Sequence, residues 1–179
     1  MVAAVVAISV TFSAAYQVST SFHDRVDLVA TGVAQWNPQM ATHDGVTERM
    51  EFFHHTVEII QNHPLMGVGT GGFTQAYTLH VQKLGLPVPT HPHNQYLLVM
   101  AQVGVIGFCL LLWLFIQQWR ATALTGDATY GLLARGLVVT IAIGCLFQPA
   151  LNDHTEKLFY CLFSGLMCSG ADSHGETKT

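Results

Sequence analysis

The stretch PTHPHNQYLLVMAQVG, Pro89 to Gly104, decides the fold. Two histidines, His91 and His93, flank Pro92 at the edge of an apolar run, and Tyr96 to Ile116 is 21 residues without a charged side chain. A helix needs about 20 apolar residues to cross a bilayer core, so this run reads as a transmembrane helix. It closes on Gln117, Gln118, Trp119 and Arg120, an interfacial aromatic followed by a cation.

Three further apolar runs surround it. Val2 to Tyr16 is shorter and has no Lys or Arg before it, as a spanning helix in a fragment of a larger protein would; Ser13-Ala14-Ala15 also offers a small-residue cleavage site. Tyr130 to Ala150 carries Arg135 near its start, within reach of the interface. Leu158 to Ala171 is short, with Asp153, His154, Glu156 and Lys157 crowding its entrance and Asn152 beside them. Half of the 179 residues are apolar and 10% are charged, where a soluble domain has about 25%. The expected fold is therefore all-α: a polytopic integral membrane protein with about four transmembrane helices and one large extracytoplasmic loop.

Orientation follows from the cations. Arg120 and Arg135 border the short loop and Lys178 lies in the tail, whereas the long loop sets Arg25, Arg49 and Lys83 against six acids. The positive-inside rule places the long loop outside. The expected divisions are a helix over 1–16, the extracytoplasmic catalytic loop over 17–94 and a helix over 95–119. A cytoplasmic loop over 120–129, a helix over 130–150 and an outer loop over 151–157 follow. A helix over 158–171 and a cytoplasmic tail over 172–179 complete the chain.

Composition also excludes some classes. The net charge of −4 argues against nucleic acid as a partner. Cys109, Cys145, Cys161 and Cys168 all lie in apolar runs without a CxxC pair, so neither a disulfide framework nor a thiolate metal site is indicated. The 10 histidines outnumber the 7 Lys and Arg, yet HExxH is absent, His91 and His93 lack a nearby third ligand, and adjacent His54 and His55 point different ways on a helix. No metal is expected.

Within the long loop, Met50, Phe53, Val57 and Ile60 fall at helical spacing over Thr47 to Gln61, with Phe52 and Ile59 widening the stripe. Pro64 ends that helix. GVGTGGF follows, then a second amphipathic run with Phe73, Ala76, Tyr77, His80, Val81 and Leu84 on one side, stopped by Gly85. Two interfacial helices over the membrane mouth are predicted. Gly67, Gly69 and Gly72 match GxGxxG, but no strand precedes them and no acid follows until Asp127, which rejects a dinucleotide site. A turn with close backbone approach is what remains.

Two residues carry the chemistry. Pro92 suits a first helical turn, which sets His93 at the N-terminus of the spanning helix, where free N–H groups and the dipole favour anions. The same dipole disfavours imidazolium, so His93 is suited to act as a neutral general base beside a phosphate-linked substrate. The competing reading is an interfacial histidine that only caps the helix. Arg49 opens the Thr47 helix, where a cation and backbone N–H groups make a phosphate site. Its local sequence alone favours simple neutralisation by Glu48 and Glu51 on a solvated face.

The stretch TERMEFFHHTVEIIQNHPLMGVGTGGFTQAY, followed after a linker by HPHNQYLLVMAQVGVIGFCLLLW, resembles the C-terminal half of the O-antigen ligase and polymerase superfamily. The hallmarks are an Arg opening a helix, an hP-hydrophobic-x-GvGxGxF turn, and HN-x-x-L followed by Gln-x-Gly. The resemblance covers about Thr47 to Arg120 strongly and the last two spans loosely. It implies a GT-C-like, multi-pass glycosyltransferase in the bacterial inner membrane with its large loop on the periplasmic side. It further implies transfer of a glycan from an undecaprenyl-pyrophosphate carrier to an acceptor hydroxyl on lipid A-core or another glycan, without cofactor or metal. Arg49 would bind the pyrophosphate and His93 would activate the acceptor. His91, Asn94, Gln95, Gly67 and Gly69 would line the substrate site, with Arg25 as the upstream basic residue. Family members run to about twice this length, so the chain is expected to be part of a longer protein and inactive alone. A polymerase, a protein O-glycan ligase, a non-catalytic membrane remnant and a histidine-based metal transporter are the rival readings.

Overall fold

The computed structural model describes residues 2–38, 45–122 and 128–172. Among them the chain is all-helical, with α1 (Val2–Val18), α2 (Thr20–Gln35), α3 (Thr47–Asn62), α4 (Phe73–Val81), α5 (Gln95–Ala121), α6 (Ala128–Gly144) and α7 (His154–Asp172). Residues 123–127 of the short loop expected over 120–129 and the tail from 173 on, with Lys178, lie outside the described residues. The helices fall into two compact units, Met1–Glu51 and Phe52–Thr179; α3 begins in the first and continues into the second.

The first unit is a helical hairpin. α2 was not foreseen, although Phe22, Val26, Val29 and Val33 repeat at helical spacing behind Ser19. Ser19 is its N-cap, its hydroxyl accepting from the Phe22 N–H at 3.3 Å. Tyr16 of α1 donates to Asp27 Oδ1 at 2.7 Å, and Phe12 meets Phe22 edge-on at 5.3 Å.

The second unit holds two apolar cores joined by α5. One gathers Phe52, Ile59 and Ile60 of α3, Phe73, Tyr77 and Val81 of α4, Leu86, and Leu98 and Ala101 of α5. The other gathers Leu111 and Phe115 of α5, Val138, Ile141 and Cys145 at α6, Ala150, and Tyr160 of α7. On α4, Phe73, Tyr77 and Val81 of the predicted face repeat every four residues and are buried, but the helix ends at Val81, so Leu84, expected on that face, lies beyond it and is exposed. On α3 the buried face is rotated from the predicted stripe. Phe52, His55, Thr56, Ile59 and Ile60 turn inward while Val57 is exposed. α3 buries Thr47, Glu51, His55 and Thr56 among its polar residues; Thr56 Oγ1 donates to the Phe52 carbonyl at 2.6 Å and His55 meets Glu58 at 3.0 Å.

Between the two cores α5 breaks. Gly104 has φ 71° and ψ −165°, a conformation essentially reserved for glycine. The Gly-rich turn after α3 fills the break: Val68 N–H donates to the Ala101 carbonyl at 2.8 Å, Gly69 N–H to Gln102 at 2.9 Å, and Val105 N–H to Pro64 at 2.9 Å. Backbone meets backbone so closely that a Cβ on Gly104 would lie 2.1 Å from the Leu65 oxygen, and one on Gly67 2.6 Å from the Ala101 oxygen. The run that read as one unbroken helix is thus two helical pieces hinged on a loop.

α5 is long and apolar enough to cross a membrane over its 27 residues; α6, with 17, is a shorter apolar helix. α6 stops at Gly144, well before the expected limit at Ala150, and the chain turns through Gln148 N–H to Gly144 and Asn152 N–H to Pro149. α7 starts at His154, earlier than Leu158, with Glu156 in its first turn, where the dipole favours an acid. Arg135 reaches back to the C-terminal end of α5, donating to Thr122 Oγ1 at 3.2 Å and lying 5.5 Å over the Trp119 ring.

Candidate functional site

His91, His93, Asn94 and Gln95 come together at the head of α5. The helix starts at Gln95, so Pro92 does not occupy its first turn; Pro92 is instead fully buried, and Asn94 is the N-cap. His93, one residue before the cap, holds a left-handed backbone at φ 52°, uncommon outside glycine. Its N–H donates to His91 Nδ1 at 3.3 Å, and the two rings meet edge-on at 4.6 Å. With Nδ1 accepting, a neutral His91 carries its proton on Nε2. The His93 ring also stacks on Phe52 at 6.2 Å and 15°. His93 is half-buried, in contact with an aromatic platform and a second imidazole.

The N–H groups expected to be free here are largely taken. Gln95 N–H donates to the Cys145 carbonyl at 2.8 Å and Leu97 N–H to Asn94 Oδ1 at 3.0 Å. The dipole remains, but the site is less of an anion cradle than the sequence implied. Asn94 and Gln95, read as substrate-binding, are occupied by the scaffold. Asn94 Nδ2 donates to the Leu146 carbonyl at 3.0 Å, and buried Gln95 accepts from Leu151 N–H at 3.1 Å. Both lock the head of α5 to the end of α6, as does Tyr96, whose hydroxyl donates to the Ala142 carbonyl at 2.8 Å.

Gly67 and Gly69 also serve the scaffold, at the break in α5. Gly67 in addition lines an open groove of ≈ 390 Å³ with His63, Val68, Gly72, Gln75 and Leu79. Phe52 and Gly104 are the participants that sequence reasoning missed. Gly104 had a signal, a glycine inside an apolar helix paired with a Gly-rich turn upstream; Phe52 had been read only as the edge of a stripe.

Arg49 lies exposed in the first turn of α3, beside Glu48. Glu51 is fully buried and so does not lie on the solvated face expected for it. Arg25 is exposed on α2. Both arginines belong to the first unit and the histidine pair to the second.

A second cluster joins α3 to α4. Glu58 receives His55 Nδ1 at 3.0 Å and His80 Nε2 at 2.9 Å on one oxygen, and His54 Nε2 lies 3.6 Å from the other. The hydrogen bond from His80, then that from His55, holds the Glu58 carboxyl below its ordinary range against a burial effect that raises it. The adjacent histidines, expected to diverge, converge on one carboxylate.

No curated protein matches the chain. The model of the O-antigen ligase family matches residues 1–112, which takes in both arginines, α3, the Gly-rich turn, the histidine pair and the break in α5. The chain belongs to the O-antigen ligase family.

Proposed function

We propose that the chain works as a membrane glycosyltransferase of the ligase type, moving a glycan from an undecaprenyl-pyrophosphate carrier to a hydroxyl on lipid A-core. It is a multi-pass, GT-C-like protein of the bacterial inner membrane with residues 17–94 on the periplasmic side. The observation that carries this reading is His93 itself. It is half-buried, braced by Phe52 and His91, and set at the head of the one helix long and apolar enough to cross a membrane among the described residues. On this reading the carrier pyrophosphate lies at the head of α5, within reach of the imidazole.

In this mechanism the acceptor hydroxyl gives its proton to neutral His93 as its oxygen attacks the anomeric carbon. The glycosyl–phosphate bond breaks and the carrier pyrophosphate leaves with the electron pair. Arg49 stabilises the negative charge that gathers on it. His91 holds the His93 backbone, and Arg25 supplies further positive charge for the carrier. No nucleotide sugar or metal takes part in the transfer.

The test is His93→Ala at the native locus, with surface glycans separated on gels. Loss of long glycan with a bare lipid A-core supports ligation. A core bearing a single added repeat unit assigns the chain to the polymerases, and a glycan lost from protein Ser or Thr assigns it to protein glycosylation. An unchanged ladder from an expressed gene removes His93 from catalysis and favours a non-catalytic remnant.

A further inference from the structure

We propose that His54, His55 and Glu58 form a binding site for a divalent transition-metal ion, zinc foremost, which fastens α3 to α4 through His80. The nitrogen and oxygen donors of the first three all lie within 4.8 Å of one another. A tetrahedral zinc with ligands at about 2.0–2.2 Å needs donors roughly 3.3–3.6 Å apart. His55 Nδ1 lies 3.0 Å from Glu58 Oε2, a little inside that spacing, and His54 Nε2 lies 3.6 Å from the other oxygen, Oε1, at its upper edge. Small side-chain adjustments suffice to admit an ion.

Helix geometry explains why adjacent histidines can share one ligand set. At about 100° per residue, a side chain four positions after His54 falls about 40° from it in azimuth, and therefore between His54 and His55. Glu58 is at that position, one turn further along α3. The pattern His-His-x-x-Glu thus gathers three donors on one helix where a bare pair would splay.

The surroundings suit an ion. His55 is 3% exposed and rigidly packed, whereas His54 and Glu58 are 37% and 40% exposed, leaving an approach from solvent. His80 on α4 holds a Glu58 oxygen at 2.9 Å, the kind of outer hydrogen bond that orients a ligating carboxylate. Imidazole nitrogens with a single carboxylate favour zinc over calcium or magnesium, which prefer all-oxygen sets. The site is separate from His91 and His93 and does not depend on transfer activity.

The experiment uses the full chain in lipid nanodiscs, stripped of metal and titrated with zinc chloride against a chromophoric chelator at neutral pH. One tight zinc per chain is expected. Glu58→Gln and His54→Gln should each weaken binding at least tenfold, and His80→Gln roughly 10–100-fold. His91→Ala/His93→Ala should leave binding unchanged. His54 and Glu58 are partly exposed, so these variants retain the fold, and circular dichroism of each verifies it. Absence of a tight site in the wild type, or equal zinc affinity in His54→Gln and Glu58→Gln, would overturn the proposal in favour of a hydrogen-bonded hub without metal. Loss of zinc in the His91/His93 double variant would overturn it by placing the metal at the head of α5.

Discussion

At the scale of single residues, backbone freedom decides as much as side-chain chemistry. Gly104 and Gly85 both have positive φ, at 71° and 64°, yet their surroundings differ. Nothing lies within 4 Å of a Cβ on Gly85, whereas one on Gly104 would strike the Leu65 carbonyl. Gly85→Ala should therefore cost only the left-handed penalty, about 1–2 kcal/mol. Gly104→Ala adds a backbone collision to a conformation already costing about 1–3 kcal/mol for other residues, and should dislodge the Gly-rich turn. Thermal unfolding of the two purified variants checks the order; equal shifts would mean that the turn does not rest on α5. Asn94 is subtler. Its oxygen caps α5 and its amide nitrogen serves the Leu146 carbonyl, so Asn94→Ala should lose about 1–2 kcal/mol. Asn94→Asp keeps the cap but forfeits the donor, and should fall between Asn94→Ala and the wild type.

At the scale of elements, the rotated face of α3 separates what a hydrophobic pattern says from what packing does. The expected stripe ran through Phe53, Val57 and Ile60 with Phe52 and Ile59 at its edge; the edge residue Ile59, at 3% exposure, is in the core and Val57, at 39%, is not. Ile59→Ala is expected to cost about 2–5 kcal/mol, and Val57→Ala under about 1 kcal/mol. Denaturant titration of both would expose an error in the assigned face. The presence of α3, α4 and α5 was legible because each carries a helical apolar repeat between Gly or Pro stops. The face of α3 was not, because Thr56 and His55 look solvent-facing until their partners are known. α2 was passed over because its apolar repeat is dispersed among polar residues and it contains no buried residue. The break in α5 was hidden for a related reason: a glycine in an apolar run is common, and only the carbonyls of Ala101 and Gln102 bonded to another segment reveal that the helix opens there. The histidine pair stood out in the sequence as a candidate, but the left-handed backbone and the Phe52 platform at His93 come from tertiary contacts.

At the scale of the whole molecule, the break in α5 bears on how the chain meets a bilayer. Irregular backbone is tolerated at membrane depth only where protein covers it, and the Gly-rich turn does so by taking the exposed carbonyls of Ala101 and Gln102. The piece after the break, roughly 17 residues and about 25 Å long, sits close to the thickness of a bilayer core. Its outward side chains include Leu110, Trp113 and Ile116 at 58%, 57% and 54% exposure, a face that water would not favour. If the loop ahead of α5 is periplasmic, the two ends of this helix must be reachable from opposite sides. In a variant with all native cysteines replaced, Thr90→Cys should react with a membrane-impermeant maleimide added outside the inner membrane. Trp119→Cys should react only after that membrane is opened. The reverse pattern would invert the orientation, place His93 in the cytoplasm and remove it from any reaction on a periplasmic acceptor. Labelling of both from outside would show that α5 does not span, and the glycosyltransferase reading would lose its geometric support.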